Sequence, residues 1–300
     1  MAHAKTRNEK RRVDLEHPVI VPPDDIRSGS IRRPGNFAMN TTLGICQNYT
    51  ADQLRNFVNS FRKNAPGQLV LFIADVNQST VNWLKERQVT LVPCPSAVHP
   101  ALLRFFIYKE YLRQNPCERV LLTDIRDVVI QDDIFAANLA EDTLHLFLEG
   151  TVVSIGNSNY NRRWILDAYG QKILDRMYHE TISCCGVIYG QYEAVLAYLD
   201  LLCAEMQNVL ERVAFFGLDQ AVHNFLLYTG IFEKILTSKE LGLEVHQNGD
   251  RVLTLGKVPS FVISNRGTML NEHGQTVPVV HQYDRYPFLQ FMVNAQFPDA

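Results

Sequence analysis

Two aspartates, Asp124 and Asp127, three residues apart, are the first residues able to do chemistry. They lie in the stretch Arg119 to Phe135, whose core reads Val120-Leu121-Leu122-Thr123-Asp124-Ile125-Arg126-Asp127-Val128-Val129-Ile130. A dense, β-branched apolar run without helical period reads as a buried strand. A sheet interior rejects carboxylates, so the acids belong at the strand's carboxyl end. That edge is where open α/β sheets bind ligands, and paired carboxylates there make a hard-oxygen site for a divalent cation carrying phosphate groups. A solvated acidic turn is the competing reading.

Other residues stand out by context. Arg104 interrupts the apolar helical stretch Leu102-Leu103-Arg104-Phe105-Phe106, so it either snorkels to solvent or points at the sheet edge to pair with a diphosphate. Asp219-Gln220 opens a helix, where Asp is also a preferred cap. Gly186 lies in a strand pattern, which marks either a bulge or a close approach of ligand to backbone. His281 follows an apolar strand into the polar run Gln282-Tyr283-Asp284-Arg285, which puts it at a strand end. His145 sits inside a strand pattern with no motif around it and reads as structural.

The elements that must position these groups alternate. A strand over Phe37 to Cys46 leads to a helix opened by the capping box Thr50-Ala51-Asp52-Gln53, then to a strand over Gln68–Asp75. A short helix at 81–87, a strand at 89–93 and a helix from Pro100 follow, before the strand that ends in the acids. Four such alternations predict a Rossmann-like, mostly parallel sheet flanked by helices. The second half is less regular. Strands are expected at 143–148, 182–189, 251–255, 261–263 and 277–280, and helices at 162–178, 191–213 and 219–228.

Composition narrows the class. With 46% hydrophobic and 20% charged residues the chain is globular, and a net charge of -3 gives no electrostatic support for nucleic-acid binding. No apolar span is long enough to cross a bilayer and the N-terminus lacks a signal-peptide core, which points to a cytoplasmic protein. Six cysteines without Cys-x-x-Cys spacing suit reduced thiols. Residues 1–34, basic and proline-rich, read as a tail whose charges could touch an anionic surface, the one route to membrane association. Residues 35–300 read as a single domain. Neither Gly-x-Gly-x-x-Gly after the first strand nor a P-loop occurs, so phosphate must be held some other way.

In this order, Leu121–Asp133, Cys184-Cys185-Gly186-Val187-Ile188-Tyr189-Gly190, Gly217-Leu218-Asp219-Gln220-Ala221 and Val279-Val280-His281-Gln282-Tyr283-Asp284-Arg285 resemble the segments of nucleotide-sugar-dependent glycosyltransferases of the GT-A fold. The resemblance implies a nucleotide-binding half over about 36–136 and an acceptor-side half over about 137–300. It implies Mn²⁺, or Mg²⁺, on Asp127, Asp124 and His281, with Mn²⁺ favoured because imidazole is softer than Mg²⁺ prefers. It also implies a nucleotide-sugar donor against Asp124, Arg104, Gly186 and Arg285, catalytic roles for Asp219 and Gln220 beside the donor sugar, and transfer to an acceptor whose identity stays open. The family's motif separates its acids by one residue and here two intervene; Arg126, between them, would neutralise the pair or reach a phosphate. Cys184 and Cys185 replace a polar pair and read as buried thiols. Asp219 or Glu149 would supply a base for inversion, but the Asp219-Gln220 pair is closer to retaining members. Two rival readings are a metal-dependent phosphohydrolase or nucleotidyltransferase, and a non-catalytic sugar-nucleotide-binding protein.

Overall fold

The computed structural model of the chain describes residues 39–136, 139–150, 152–256 and 261–298. The chain divides between Asn36 and Phe37, and every described residue belongs to the second part. The basic stretch to which a membrane contact was assigned lies outside the described residues.

In chain order the elements are β1 (Thr41–Gln47), α1 (Ala51–Asn64), β2 (Gln68–Ala74), α2 (Gln78–Glu86), β3 (Thr90–Pro93), α3 (Pro100–Gln114), β4 (Arg119–Thr123), β5 (Val128–Ile130) and β6 (Thr143–Leu148). Then come α4 (Asn159–Tyr169), α5 (Gln171–Met177), β7 (Ser183–Gln191), α6 (Tyr192–Leu210), α7 (Leu218–Tyr228), α8 (Ile231–Ser238) and β8 (Gly242–His246). The chain finishes with β9 (Val252–Thr254), β10 (Val262–Ile263), β11 (Met269–Leu270), β12 (Val279–His281), a 3₁₀ turn at Tyr283–Arg285 and α9 (Pro287–Gln296).

The first four alternating strands pair in parallel, in the order β3-β2-β1-β4. β7 then runs antiparallel to β4 and to β6, while β8 extends the sheet parallel to β6, for a final order β3-β2-β1-β4-β7-β6-β8. The domain is therefore α/β, with a mostly parallel mixed sheet between helices. The period of two assigns the faces. Leu122 and Ile188 turn to a core built with Phe105 of α3, Tyr198 of α6 and Val222 of α7. Their neighbours Leu121 and Val187 turn the other way, onto Phe57 and Phe61 of α1. The Thr50 N–H donates to Gln53 Oε1 at 3.0 Å, so α1 begins at the capping box read from the sequence.

Three expectations need correction. The stretch from Arg119 to Phe135 holds two strands: β4 ends at Thr123, so the acids do follow a strand's carboxyl end as expected, but the apolar Val128–Ile130 after them is a further strand, β5, in a separate sheet ordered β5-β12-β9. Hydropathy marks the break at the acids and gives no sign that the next strand joins another sheet. The helix expected over 162–178 is two helices, because Gly170 between them takes φ +80° and ψ 177°. That backbone region is open essentially only to glycine. Finally, α8, β8, β11 and α9 were not anticipated. α9 starts with Pro287 at its first turn, where the missing N–H costs nothing, and seats Leu289 and Val293 in a third core under β9 and β12.

No atom lies within 4 Å of where a side chain at Gly170 would begin, so only the backbone opposes substitution. Gly170→Ala is expected to lose about 1–3 kcal/mol in urea unfolding. An unchanged midpoint would mean that the joint between α4 and α5 relaxes to another conformation.

Candidate functional site

The β4–β5 link is only four residues long, and its interior residue sets its orientation. Ile125 is buried against Gly44 of β1, while Arg126 is partly exposed and lies 3.1 Å from Asp284 and 3.9 Å from Asp127 Oδ2. With Ile125 anchored against β1, Asp124 and Asp127 both reach the cleft, which Arg126 also borders. The two-residue spacer thus lets the link cross between sheets while keeping its carboxylates on one side.

Hydrogen bonds fix each acid. The Asp124 N–H donates to the Gly186 carbonyl at 2.7 Å, which ties the link to β7. In the small sheet β12 runs antiparallel to β5 with His281 opposite Val128, the residue after Asp127. The Gln282 N–H donates to the Asp127 carbonyl at 2.7 Å, and Gln282 itself, at φ +60°, turns the chain into the 3₁₀ turn that carries Arg285. As a result His281 Nε2 lies 3.4 Å from Asp124 Oδ2 and 3.8 Å from Asp127 Oδ1. One ligand atom from each of the three residues falls within 4.8 Å of the others. His281 Nε2 is buried and makes no hydrogen bond among the described residues.

Gly186 makes this approach possible. A Cβ on it would stand 2.6 Å from His281 Cε1 and 2.7 Å from Asp124 Oδ2. The register of β7 against β6 also shifts between Leu146 and Leu148, across the stretch that holds Gly186, so the bulge reading has its counterpart, and what comes close to this glycine is the pair of side chains. Cys184 is a buried thiol, as expected, and has its Sγ 3.7 Å from His281 Nδ1. A proton on Nδ1 facing that sulfur leaves the Nε2 lone pair toward the acids. No sequence spacing signals this contact, since the partners are 97 residues apart.

Arg104 is buried and its fork is committed. Nη1 pairs with Asp124 Oδ1, and Nη2 donates to Asp219 Oδ2 at 2.7 Å and faces Cys185 Sγ at 3.2 Å. It points at the sheet edge, as one of its two sequence readings had it, but holds carboxylates there. Asp219 Oδ1 accepts from the Gln220 N–H at 2.9 Å. Gln220 turns both ends of its amide to β7: Oε1 accepts from the Cys185 N–H at 3.0 Å and Nε2 donates to the Ser183 carbonyl. Gln220 therefore buttresses β7, while Asp219 holds Arg104 and the start of α7. Arg285 stays half exposed beside the acids, 3.8 Å from Asp127 Oδ2.

These groups face a cleft of about 1170 Å³ at the carboxyl edge of the parallel strands. Tyr49 and Asp75, just beyond β1 and β2, line one part; Tyr160, Trp164 and Phe216 line another. Asp124, Asp127, Arg104, Gly186, Asp219, Gln220, His281 and Arg285 all border it, as does buried Glu149. The charges inside are coupled. Burial opposes ionisation of Asp124, but Arg104 and His281 outweigh it and bring its carboxyl down to about 2. Burial, with Asp124 and Asp284 nearby, raises Asp127. Burial also disfavours charge on His281, yet Cys184, Asp124 and Asp127 together lift it well above the usual imidazole range. The site is a tight arrangement of two acids and an imidazolium.

No family model matches this chain, and no curated protein matches its sequence.

Proposed function

We propose that the chain is a GT-A-fold glycosyltransferase that moves a sugar from a nucleotide-diphosphate donor to an acceptor, dependent on Mn²⁺ or Mg²⁺. The observation behind this reading is the convergence of Asp124, Asp127 and His281, drawn from two sheets, around a buried imidazole nitrogen that lacks a hydrogen-bond partner among the described residues. Two oxygens and one nitrogen, with room left for phosphate oxygens, fit a hard-to-borderline cation such as Mn²⁺. Bound there, such an ion would supply Lewis-acid stabilisation of the departing diphosphate.

The protein's own groups do the rest. Arg285, half exposed at the rim, would pair with phosphate oxygens. Tyr49 and Asp75 line the end of the cleft that suits the nucleoside, and Tyr160, Trp164 and Phe216 offer an aromatic surface to the acceptor. Asp219 spends both oxygens on Arg104 and on the start of α7, which disfavours it as the base that inversion requires and leaves Glu149, also at the cleft, as the other candidate; the likeness of the Asp219-Gln220 pair to retaining members keeps retention the favoured outcome. All six cysteines are free thiols, consistent with a cytoplasmic setting, and no helix among the described residues is long and apolar enough to cross a membrane.

A panel of nucleotide sugars screened by thermal shift with and without Mn²⁺ identifies the donor, since a ligand of the folded state raises the melting point. The expected product is nucleoside diphosphate together with transferred sugar, with the anomeric configuration of the donor retained. Release of free phosphate or pyrophosphate would favour a phosphohydrolase or nucleotidyltransferase instead. Binding without turnover would favour a non-catalytic sugar-nucleotide-binding protein.

Metal affinity should rise with pH. His281 is held protonated by its acidic neighbours, and that proton must leave before Nε2 can ligate. Below the raised pKa each pH unit should strengthen Mn²⁺ binding up to about tenfold, with a plateau above it. Calorimetric titrations at pH 6, 7 and 8 read this slope, and a flat profile would remove His281 from the ligand set.

A further inference from the structure

A second cluster lies on the other arm of the sheet, and none of its members lines the cleft. His145 sits on β6, while Glu244 and His246 sit on β8, the edge strand. The parallel register sets His145 beside Glu244 and Phe147 beside His246. Because alternate residues of a strand share a face, all three polar side chains emerge on one side of the sheet.

Their donor atoms form a small triangle. His145 Nδ1 is 3.0 Å from His246 Nε2, and Glu244 Oε2 is 3.3 Å from the first and 3.6 Å from the second. Tetrahedral zinc with bonds of about 2.0–2.2 Å requires ligand-to-ligand separations of about 3.3–3.6 Å, which the two Glu244 distances meet and the histidine pair reaches by opening a few tenths of an ångström. An independent feature points the same way. The remaining nitrogen of His145, Nε2, faces the Ala140 carbonyl at 3.4 Å, and a proton there leaves the Nδ1 lone pair aimed into the triangle. The rings are also held in place: His246 stacks on Phe147 at 5.3 Å between centroids and His145 lies 5.5 Å from Tyr189.

We propose that His145, Glu244 and His246 bind a zinc ion that fastens the edge strand β8 to β6. Two imidazoles and one carboxylate suit Zn²⁺ better than the oxygen-rich cluster in the cleft does. Glu244 is 44% exposed, so the fourth position opens to water. Among the described residues β8 pairs with β6 alone, and a metal clip would hold that edge.

The test is a zinc count on the full chain, loaded with zinc sulfate, desalted and measured by mass spectrometry. Wild-type protein is expected to retain one equivalent more than His246→Ala, and Asp127→Asn, altered only in the cleft, is expected to keep that equivalent. Cobalt(II) loading should give the strong visible absorption of a four-coordinate site, absent from His246→Ala. Should that variant fail to fold, the more exposed Glu244→Gln serves in its place. Equal zinc in wild type and the β8 variants, or a loss confined to Asp127→Asn, would overturn the proposal and leave a hydrogen-bonded histidine pair. Because the count requires no turnover, it stands or falls separately from the glycosyltransferase reading.

Discussion

Gly186→Ala is expected to weaken Mn²⁺ binding by about 10- to 100-fold while the domain stays folded. The added methyl carbon would lie 2.6 Å from His281 Cε1 and 2.7 Å from Asp124 Oδ2, closer than carbon can approach either atom. Neither neighbour gives way easily. His281 is buried at the end of β12 between β5 and β9, and Asp124 is gripped by Arg104. At least one of them must leave its position, and a ligand set tolerates displacements of only a few tenths of an ångström. Folding should survive because alanine is no worse than glycine in a strand, and the Gly186 carbonyl that accepts from Asp124 is retained. Calorimetric Mn²⁺ titration beside thermal melting separates the two effects. Wild-type affinity in the variant would show that the cation does not sit between Asp124 and His281.

The same glycine shows where sequence reasoning reaches and where it stops. The alternating first half was legible because each strand is a continuous apolar run bounded by turn residues, and runs of that kind are buried on both faces. Asp124 and Asp127 were legible because acids cannot continue such a run, and His281 because an apolar strand ends there in polar residues. What hydropathy could not show is contact between distant segments. Arg104 reads equally as a snorkelling side chain or a ligand-facing one until Asp219, 115 residues away, is seen beside it. The pairing of Cys184 with His281 and of His145 with His246 depends likewise on which strands become neighbours. β8 escaped notice because an edge strand with one covered face lacks the apolar density of the central ones. That Val128–Ile130 joins a different sheet was hidden for the opposite reason, since it is as apolar and buried as β4 before the acids.

The largest loss of stability should come from Arg104→Met, which keeps the length of the side chain and removes its charge. Asp219, only 4% exposed, would keep its carboxylate with its charged partner gone, and Asp124 would lose the group that aims it. Breaking a buried pair from one side costs about 3–5 kcal/mol, so chemical unfolding at pH 7 should register a loss of that order. The deficit should shrink in acid. Arg104, against the opposing effect of burial, helps to hold the Asp124 carboxyl near 2, and a depressed carboxylate contributes stability above its ordinary range that fades as pH falls toward the folded value. Wild type and variant should therefore converge between about pH 4 and 2. Adding Asp219→Asn to Arg104→Met removes the stranded charge and should recover part of the stability, with a coupling of about 0.5–3 kcal/mol between the two sites. Under the glycosyltransferase reading, metal-dependent turnover should not return with it, because Asp124 still lacks its clamp. A side chain that merely reached for solvent would behave otherwise: Arg104→Met would then be nearly neutral, and the double variant would show no coupling at all.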